Sequence, residues 1–362
     1  MIRTSTNLRQ RMRVAILQNE CPEYRWALYS GLAEDFEVTV VHAGTPTNRA
    51  LGFAESHVPA HQLGRFYFQW GVRDVLRRGD FDVVVVMFDL AWPSYMSYLL
   101  LPHRPRVLLW GHRYGPRPLA NLIRDLFMRR ADAQIMYSRE DFPELVSRGA
   151  DMSKIYVADN TVHVANYRDC SSDPKSSFLF VGRLQPRKRV DLLIRAFADL
   201  PVGLRRRLHV DIIGDGSEGA ALRELATELD LGDGVRFHGS ISDEVCLEGF
   251  FSAALAYVSP GPVGLGVLHA FAYGVPVVTM RVGRHGPEFT NLEHMRNSII
   301  CSDEATIGAA LGRLASDLEF AKCLGSEAYR HYVDSRQMTQ MVAAFRCALL
   351  GGSSDGSVGH EK

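Results

Sequence analysis

The chain has 362 residues, of which 46% are apolar and 23% charged, the composition of an ordinary globular protein. Lysine and arginine total 41, as do aspartate and glutamate, so the formal net charge is zero. This balance argues against a nucleic-acid binder that works by counterion release, and the apolar content argues against a disordered chain. The length predicts roughly two domains, each with enough apolar material for a core.

The cysteines and the first residues indicate the compartment. The six cysteines are far apart in sequence, so they form neither a short-spaced zinc motif nor a redox pair, which is typical of a reducing compartment. The basic N-terminus leads into a strand-like run rather than a small-residue cleavage site, so we expect no secretory signal. We therefore expect a cytoplasmic protein.

A long uncharged stretch, from Gly249 to Met280, raises the question of a membrane-spanning helix. Prolines and glycines interrupt it throughout, and a lipid-exposed helix does not easily tolerate that density of helix breakers. We therefore predict a strand, a loop, a buried helix and a buried strand.

Short apolar runs alternate with helix-length segments along most of the chain. The runs are mostly continuous rather than alternating, which is typical of strands buried on both faces of a parallel sheet. The first series is Met12–Gln18, Phe36–His42, Asp82–Met87, Arg106–Trp110, Gln134–Tyr137 and Lys154–Val157. The second series is Phe178–Val181, His209–Ile213, Val235–His238, Leu255–Val258, Pro276–Thr279 and Ser298–Cys301. Apolar residues at helical spacing predict helices over Val190–Leu200 and Ala220–Leu231.

These two series predict an α/β protein of two doubly wound, Rossmann-like domains with a cleft between them. The polar stretch Asp169–Ser177 reads as the linker, which places the domains at 1–170 and 171–335. A last helix follows at 336–350, and the tail 351–362 is predicted to be disordered. Ligands of such folds bind beyond the carboxyl ends of the strands, so the cleft is the expected site.

The first candidate site follows the strand Phe178–Val181. Gly182 ends this strand, and cations crowd the next residues, from Arg183 to Arg189. Cations at the carboxyl end of a strand, beside the start of a helix, favour binding of a phosphate or a diphosphate. A solvated basic loop is the alternative interpretation.

The segment Gly214–Gly219 formally matches the glycine pattern of a dinucleotide-binding turn. Such a site also needs an acidic residue at the end of the next strand, Val235–His238, and Gly239 and Ser240 follow that strand instead. We therefore interpret Gly214–Gly219 as a structural turn.

A second candidate site lies in the glycine- and proline-rich loop that begins at Ser259. A buried helix is predicted to start near Gly266, with its free N–H groups and positive dipole end directed at the site. Glycines there allow a ligand to approach the backbone closely. His269 lies one turn into the helix. The alternative to a functional histidine is a core histidine whose hydrogen-bonding groups are satisfied within the protein.

The first half offers one histidine and one basic helix. His112 follows the buried strand Arg106–Trp110, where an imidazole can titrate near neutral pH and hydrogen-bond a substrate. From Leu101 to Arg130 there are seven arginines and one aspartate, and Pro118–Arg130 has the pattern of a basic amphipathic helix. Peripheral contact with an anionic membrane is one interpretation, and an ordinary solvated helix face is the other.

Taken together, these motifs resemble the retaining glycosyltransferases of family four, which have the two-domain GT-B fold. Residues 178–200 (FLFVGRLQPRKRVDLLIRAFADL) are similar to the family's strand, basic loop and helix. Ala272–Val278 (AYGVPVV) and the turn at Gly214 are similar to further segments of its donor domain. The opening Gln18–Arg25 is similar to that of transferases of surface polysaccharides.

The resemblance implies that the first domain binds a glycan or lipid-linked acceptor and that the second binds a nucleotide-sugar. It also implies that the last helix, at 336–350, crosses back to the first domain. Arg183 and Lys188 would hold the donor diphosphate, and His112 would lie near the reacting sugar. It implies no metal, no other cofactor and no protein nucleophile, so the leaving phosphate would help deprotonate the acceptor in a front-face displacement. The donor-binding positions it implies are Gly182, Gly264, Leu265, Gly266, His269 and Glu288.

One departure from the family pattern bears on activity. The family usually carries two glutamates across the donor loop, and this chain has Gly261 and His269 at those positions. The histidine can still hydrogen-bond a ribose hydroxyl, whereas the glycine has no side chain to offer. A sub-branch that binds its donor differently is favoured over lost activity, because the other site features are present.

Three other functions are weighed against a glycosyltransferase. The missing glutamates leave open a non-catalytic nucleotide-sugar-binding or scaffold protein of the same fold. A GT-B sugar-nucleotide epimerase would change the sugar nucleotide without any acceptor. A dinucleotide oxidoreductase is the weakest alternative, because its fingerprint is incomplete.

Overall fold

The computed structural model describes residues 11–47, 49–111, 114–115, 117–281 and 285–352. It divides into two compact units, of which the second is Asn160–Gln337 and the first comprises the described residues on either side of it. Each unit is a parallel β-sheet covered by helices. The predicted pair of doubly wound, Rossmann-like α/β domains is therefore confirmed.

The elements alternate along the chain, as expected for parallel sheets joined by crossover helices. The strands are β1 Arg13–Leu17, β2 Glu37–His42, β3 Ala54–His57, β4 His61–Leu63, β5 Phe66–Phe68, β6 Val83–Met87, β7 Arg106–Trp110, β8 Ala133–Met136, β9 Ile155–Val157, β10 Ser177–Val181, β11 His209–Ile213, β12 Val235–Gly239, β13 Ala254–Ser259, β14 Val277–Met280 and β15 Ser298–Cys301. The α-helices are α1 Trp26–Ala33, α2 Val72–Gly79, α3 Pro93–Tyr98, α4 Pro118–Arg130, α5 Phe142–Ser147, α6 Val190–Ala198, α7 Val202–Arg205, α8 Gly219–Glu228, α9 Glu244–Ala253, α10 Gly266–Ala272, α11 Ala305–Ser316, α12 Leu318–Ser335 and α13 Met338–Leu350.

The first unit is built on a seven-stranded sheet in the order β3-β2-β1-β6-β7-β8-β9, with every neighbouring pair parallel. Helices α1 and α13 pack on one face, around Tyr29 and Phe345. Helices α2, α3 and α4 pack on the other, around Leu76 and Tyr95. The last helix, α13, therefore belongs to the first unit, where Phe345 meets the Trp110 ring edge-on at 4.9 Å.

The second unit has a six-stranded parallel sheet in the order β12-β11-β10-β13-β14-β15. The chain starts in the middle, at β10, runs outward through β11 and β12, and then returns to build β13, β14 and β15 on the other side. The direction of winding thus reverses between β10 and β13. In open α/β sheets, ligands bind outside the carboxyl ends of the strands at such a reversal.

All the predicted strands appear, and none of their ends shifts by more than one residue. The stretch from Gly249 to Met280 also folds as predicted, with β13, a loop, the buried helix α10 and β14. No helix among the described residues is long and apolar enough to cross a membrane. The strands β3, β4 and β5 were not predicted, because their mostly exposed or half-buried residues form no clear apolar run.

The boundary between the units falls between Asp159 and Asn160, earlier than the predicted one after residue 170. Polar composition suggested a linker at Asp169–Ser177, but the chain is already part of the second unit there. Val162, Val164 and Cys170 are buried in its core, which fixes the preceding segment to that unit. Most of the predicted disordered tail, from residue 353 onward, lies outside the described residues.

Candidate active site

The candidate site lies at the carboxyl edge of the second sheet, where the winding reverses. Three loops leave the sheet there, after the last residues of β10, β13 and β14, which are Val181, Ser259 and Met280. These loops carry the candidate residues found by sequence in this unit. The strands fix the start of each loop, and the contacts between the loops determine the shape of the site.

The loop after β10 presents one unpaired cation. The Arg183 side chain is exposed and makes no hydrogen bond or ion pair within the described part of the chain. Arg189, by contrast, is paired with Asp191 and with Glu304, whose Oε1 lies 2.8 Å from Nη2. Of these two arginines, Arg183 is therefore the one available to an incoming anion.

Lys188 sits at the end of a 3₁₀ turn, Pro186–Lys188, and reaches across to the second loop. Its Nζ donates a hydrogen bond of 2.5 Å to the backbone oxygen of Pro262. Burial lowers the pKa of Lys188 to about 8; Arg187 also lowers it, and Glu288 acts in the opposite direction. A half-buried ammonium that is not fully paired is a strong attractor for a diphosphate, because an anion would restore its lost solvation.

Gly261 explains the departure from the family pattern. Its N–H donates to the oxygen of Lys188 at 3.0 Å, so the two loops meet backbone to backbone. A Cβ atom at position 261 would lie 2.0 Å from the oxygen of Arg187 and 2.8 Å from Lys188 Cα. A glutamate at this position is therefore incompatible with the observed loop, and only glycine allows the contact.

Helix α10 begins where the second loop ends. Gly264 has open space around the position of a missing Cβ, and Leu265 caps the helix just before Gly266. The three residues predicted to lie at a helix start thus do so. In the first turn, the N–H of Val267 donates to Gly264 O and that of Leu268 to Leu265 O, each at 3.0 Å. Within the described residues, the N–H of Gly266 is the one left for an anion or a hydroxyl to accept from.

His269 is not a core histidine whose hydrogen-bonding groups are satisfied within the protein. Its ring stacks on Phe251 with centroids 5.6 Å apart and planes 15° apart, and its side chain has no hydrogen bond within the described residues. Burial lowers the pKa of His269 to about 4, so the imidazole is neutral near pH 7. A neutral imidazole can accept from, or donate to, a hydroxyl group.

Glu288 is buried and held from a distant part of the sequence. It lies in the 3₁₀ turn Pro287–Asn291, and its Oε1 accepts a hydrogen bond of 2.5 Å from Asn160 Nδ2. It also acts electrostatically on Lys188, as its effect on that pKa shows. The structure thus brings Lys188, the loop at Pro262 and Glu288 into one connected group.

Two residues of the site were missed by the sequence analysis. Asn160 positions the Glu288 carboxylate, and His285 Nδ1 accepts from the N–H of Val263 at 3.3 Å, which ties the second loop to the third. The His285 ring stacks on Phe289 at 4.1 Å. Neither residue was a predicted site residue, because in each case the partner is far away in sequence and the local pattern does not indicate it.

The turn Gly214–Gly219 is structural, as interpreted from its incomplete fingerprint. A Cβ on Gly214 would lie 1.9 Å from the oxygen of Gly182, so the turn packs directly under the first loop. Leu184 completes the contact, with its N–H donating to Asp215 O at 2.9 Å and its oxygen accepting from Glu218 N at 3.1 Å. The turn therefore supports the loop that carries Arg183.

One candidate, His112, belongs to the first unit. His112 lies outside the described residues, although β7, the strand before it, ends at Trp110. Within the described ranges, no group of three or more histidine, cysteine, aspartate or glutamate side chains is arranged to hold a metal ion.

Comparison with solved structures agrees with the fold. HepE from Anabaena, solved in complex with UDP, superposes with a TM-score of 0.70 at 15% identity, covering 94% of this chain and 99% of HepE. Sucrose-phosphate synthase from Thermosynechococcus elongatus superposes with a TM-score of 0.73 at 16% identity, covering 94% and 98%. At this level of identity the likeness shows the fold alone, and the fold is the expected GT-B type.

Curated relatives align over part of their length. A D-inositol 3-phosphate glycosyltransferase from Streptomyces griseus is 35% identical over 166 residues, which are 42% of this chain and 34% of the relative. A protein of the same name from Streptomyces bingchenggensis is 30% identical over 241 residues, or 60% of this chain and 52% of the relative. The chain thus spans between a third and about half of the length of these relatives.

The family comparison covers the unit that holds the candidate site. Residues 171–331 match the family model described as Glycosyl transferases group 1. This range contains the loops after β10, β13 and β14, and therefore every residue from Gly182 to Glu288 discussed above. The resemblance inferred from the sequence motifs is confirmed, and the second unit of this chain is a group 1 glycosyl transferase domain.

Proposed function

We propose that the protein is a retaining glycosyltransferase that moves a sugar from a nucleotide-sugar to a polysaccharide or lipid-linked acceptor. The observation that supports this most directly is the half-buried Lys188 ammonium in the same loop as the unpaired Arg183, at the edge where α/β sheets bind nucleotides. The family match and the fold shared with HepE, which was solved with UDP, support a nucleotide-sugar donor.

In the proposed reaction, Lys188 and Arg183 bind the donor diphosphate and stabilise the charge that builds up as it leaves. The bond between the anomeric carbon and the phosphate oxygen breaks, and the acceptor oxygen forms a new bond on the same face of the sugar. The acceptor's proton passes to a phosphate oxygen of the leaving group. His269 would hydrogen-bond the nucleotide ribose, and His112 would lie near the sugar.

No metal is needed in this scheme, because two cationic side chains supply the charge that a divalent ion would otherwise provide. We also propose that the protein works in the cytoplasm, where nucleotide-sugars are present, and at a membrane surface when its acceptor is anchored in lipid.

The proposal is tested with the full chain and a panel of nucleoside diphosphates and their sugars. We expect one nucleotide family to raise the melting temperature by mass action, and the effect to be lost in Arg183→Ala. With that donor, product should form in the presence of EDTA, and proton NMR should show the donor's anomeric configuration in the product. Inositol phosphate belongs among the acceptors, because the curated relatives are named for it.

The other functions give different results in the same assay. Binding without turnover on any acceptor would indicate the scaffold protein. An altered sugar nucleotide formed without an acceptor would indicate the epimerase. Inverted product would overturn the retaining mechanism, and loss of turnover in EDTA that zinc or magnesium restores would overturn the metal-free scheme.

The pKa of Lys188 predicts how diphosphate binding depends on pH. The ammonium is charged below a pKa of about 8 and loses its charge above it, so affinity for the diphosphate should fall as the pH rises past about 8. His269, with a pKa of about 4, stays neutral between about pH 6 and 8 and should add no dependence there. Titration calorimetry at several pH values measures the affinity.

The control for this prediction is Lys188→Arg, because a guanidinium stays charged over the whole range. We expect its affinity to vary much less above about pH 8 than that of the unmodified chain. Equal losses in the two proteins would assign the pH dependence to another group.

A further inference from the structure

A cavity lies in the first unit, beside the carboxyl ends of helices α4 and α5. Its volume is about 180 Å³, and its lining includes Ala133 and Ile155, the first residues of β8 and β9. The cavity is therefore at the amino edge of the first sheet. Substrates of α/β sheets normally bind at the opposite, carboxyl edge. A ligand in this cavity would thus be remote from a substrate bound at the carboxyl edge.

Three side chains that line the cavity are bonded to one another. The Tyr114 hydroxyl donates to Asp125 Oδ1 at 2.8 Å, and Arg148 Nη1 donates to Asp125 Oδ2 at 3.0 Å. The Arg148 guanidinium also lies over the Tyr114 ring, 4.4 Å from its centroid. Asp125 and Arg148 are mostly buried, with 16% and 27% of their side-chain surface exposed. Because these contacts fix all three side chains, the carboxylate and the guanidinium are oriented before a ligand arrives.

Gln134 of β8 is a buried side chain that also lines the cavity. It retains 2% of its accessible surface, and its Oε1 has no hydrogen-bond partner within the described residues. Its Nε2 donates to the sulfur of Met136 at 3.1 Å, and a thioether is a weak acceptor. A buried polar group without a partner is rare and needs an explanation. A ligand in the cavity that donates to this oxygen would supply one.

The charges around the cavity are mostly paired with each other. Asp125 lies 3.0 Å from Arg148, and Asp151 lies 3.9 Å from Lys154 Nζ. Arg129 adds a further, exposed cation. A simple anion or cation would therefore meet groups of its own sign as well as of the opposite one. A hydroxyl group suits such a lining better, because it donates to a carboxylate and accepts from a guanidinium or an ammonium.

The size of the cavity narrows the choice among hydroxylated ligands. A cavity of about 150 Å³ holds an apolar six-membered ring such as benzene, so 180 Å³ leaves room for one ring with hydroxyl groups. Pockets for drug-sized ligands measure about 300 Å³ or more, so a nucleotide-sugar is too large. Met128 and Ala150 add apolar surface to the lining, which the C–H groups of a sugar ring can cover.

We propose that this cavity binds one sugar ring and is an accessory site of the protein. The ring's hydroxyls donate to Asp125 and to Gln134 Oε1 and accept from Arg148. The sugar is either a free monosaccharide that acts as an effector or one unit of a longer glycan. The second source rests on the proposed function, whereas sugar binding itself does not, because it needs neither donor nor turnover.

The test is saturation-transfer NMR of the full chain with D-glucose, D-galactose, D-mannose and L-rhamnose, without any nucleotide. We expect at least one of them to bind saturably. Methyl glycosides and disaccharides of that sugar then distinguish the two sources, because a site for a free effector takes the monosaccharide alone and a site for a glycan unit also takes the glycosides. Binding of none of these compounds would overturn the proposal, as would a cavity that binds inorganic phosphate and no sugar.

Two substitutions locate the bound sugar. Asp125→Asn keeps the size of the side chain and removes its charge, so it should lower the sugar affinity about tenfold or more, the effect of losing a hydrogen bond to a charged group. Gln134→Leu should lower the affinity by about threefold to tenfold. It should leave the melting temperature of the sugar-free chain unchanged or higher, because it removes a buried acceptor that has no partner. If Asp125→Asn does not fold, Gln134→Leu alone decides.

The matched control is Glu144→Gln, which removes a carboxylate from the same arginine. Glu144 Oε1 accepts from Arg148 Nε at 3.0 Å and lies outside the lining of the cavity. This variant should keep the sugar affinity within about twofold. Unchanged affinity in both Asp125→Asn and Gln134→Leu would place the sugar elsewhere, and equal losses in all three variants would indicate a general loss of structure. Either result would overturn the proposal.

Discussion

Replacement of Lys188 by alanine is expected to lower kcat/KM for the nucleotide-sugar by about two to three powers of ten. Removing one well-placed group that stabilises charge in a transition state has an effect of this size. Lys188 is suited to that role because it is half-buried, held by Pro262 O at 2.5 Å, and only partly compensated by Glu288. The measurement is steady-state turnover with the donor identified by thermal shift.

The matched control for Lys188→Ala is Arg187→Ala, a substitution that removes a neighbouring cation from the same turn. Arg187 is exposed and is bonded to Gln185 at 3.0 Å, so Arg187→Ala should change kcat/KM by less than about fivefold. Arg183→Ala, which removes an exposed cation, should fall between the two variants. Melting curves show that each variant is folded, which matters because Lys188→Ala also leaves the Pro262 oxygen without its donor.

Equal losses in Lys188→Ala and Arg187→Ala would contradict this assignment, because only the general positive charge of the loop would then matter. Unchanged turnover in Lys188→Ala would remove the lysine from the site altogether. In the second case the binding of the donor diphosphate would have to depend on other groups, such as Arg183 and the start of α10.

The sequence alone was sufficient to predict those parts of the site whose positions depend on residues nearby in the chain. A continuous apolar run predicts a buried strand, and the residues after it must lie at the carboxyl edge, so the loops at Arg183 and Gly264 could be placed without coordinates. The identity of Gly214–Gly219 as a structural turn followed in the same way from a missing acidic residue.

Contacts between distant segments could not be predicted in this way. Asn160 and Glu288 are hydrogen-bonded across 128 positions of sequence, and neither belongs to a pattern that indicates the other. The orientation of α4 is a second case, because the spacing of its leucines shows an apolar face without showing which way it points. The buried Asn121 and the half-buried Asp125, bonded to Gly115, Tyr114 and Arg148, turn that face outward.

Gly261 is a third residue whose contacts with a distant segment could not be predicted from the sequence. Its substitution is expected to have a large effect on turnover. Replacing it by glutamate, the residue usual in the family at this position, is expected to abolish measurable turnover rather than improve it. The new Cβ would lie 2.0 Å from Arg187 O, so the backbone that positions Lys188 must move. Such overpacking costs about 1–3 kcal/mol or more, equivalent to a fall of at least about 2–4 °C in melting temperature.

Gly261→Ala separates steric displacement from the chemistry of a carboxylate. The alanine has the same Cβ clash and no charge, so it should lower both the melting temperature and the affinity for the diphosphate. Gly264→Ala is the stability control in the same loop, because nothing lies within 4 Å of the position of its Cβ. It should melt within about 1–2 °C of the unmodified chain, as expected for a substitution that meets no neighbour.

Higher turnover in Gly261→Glu would mean that the loop can open to admit the side chain, and that the family's usual donor contact can be rebuilt in this protein. The expected loss would mean the opposite: the contact between Gly261 N and Lys188 O replaces the glutamate as the element that fixes the donor loop. On that basis the glycine is part of a different way of holding the donor, in which backbone contact positions Lys188, rather than a sign of lost activity.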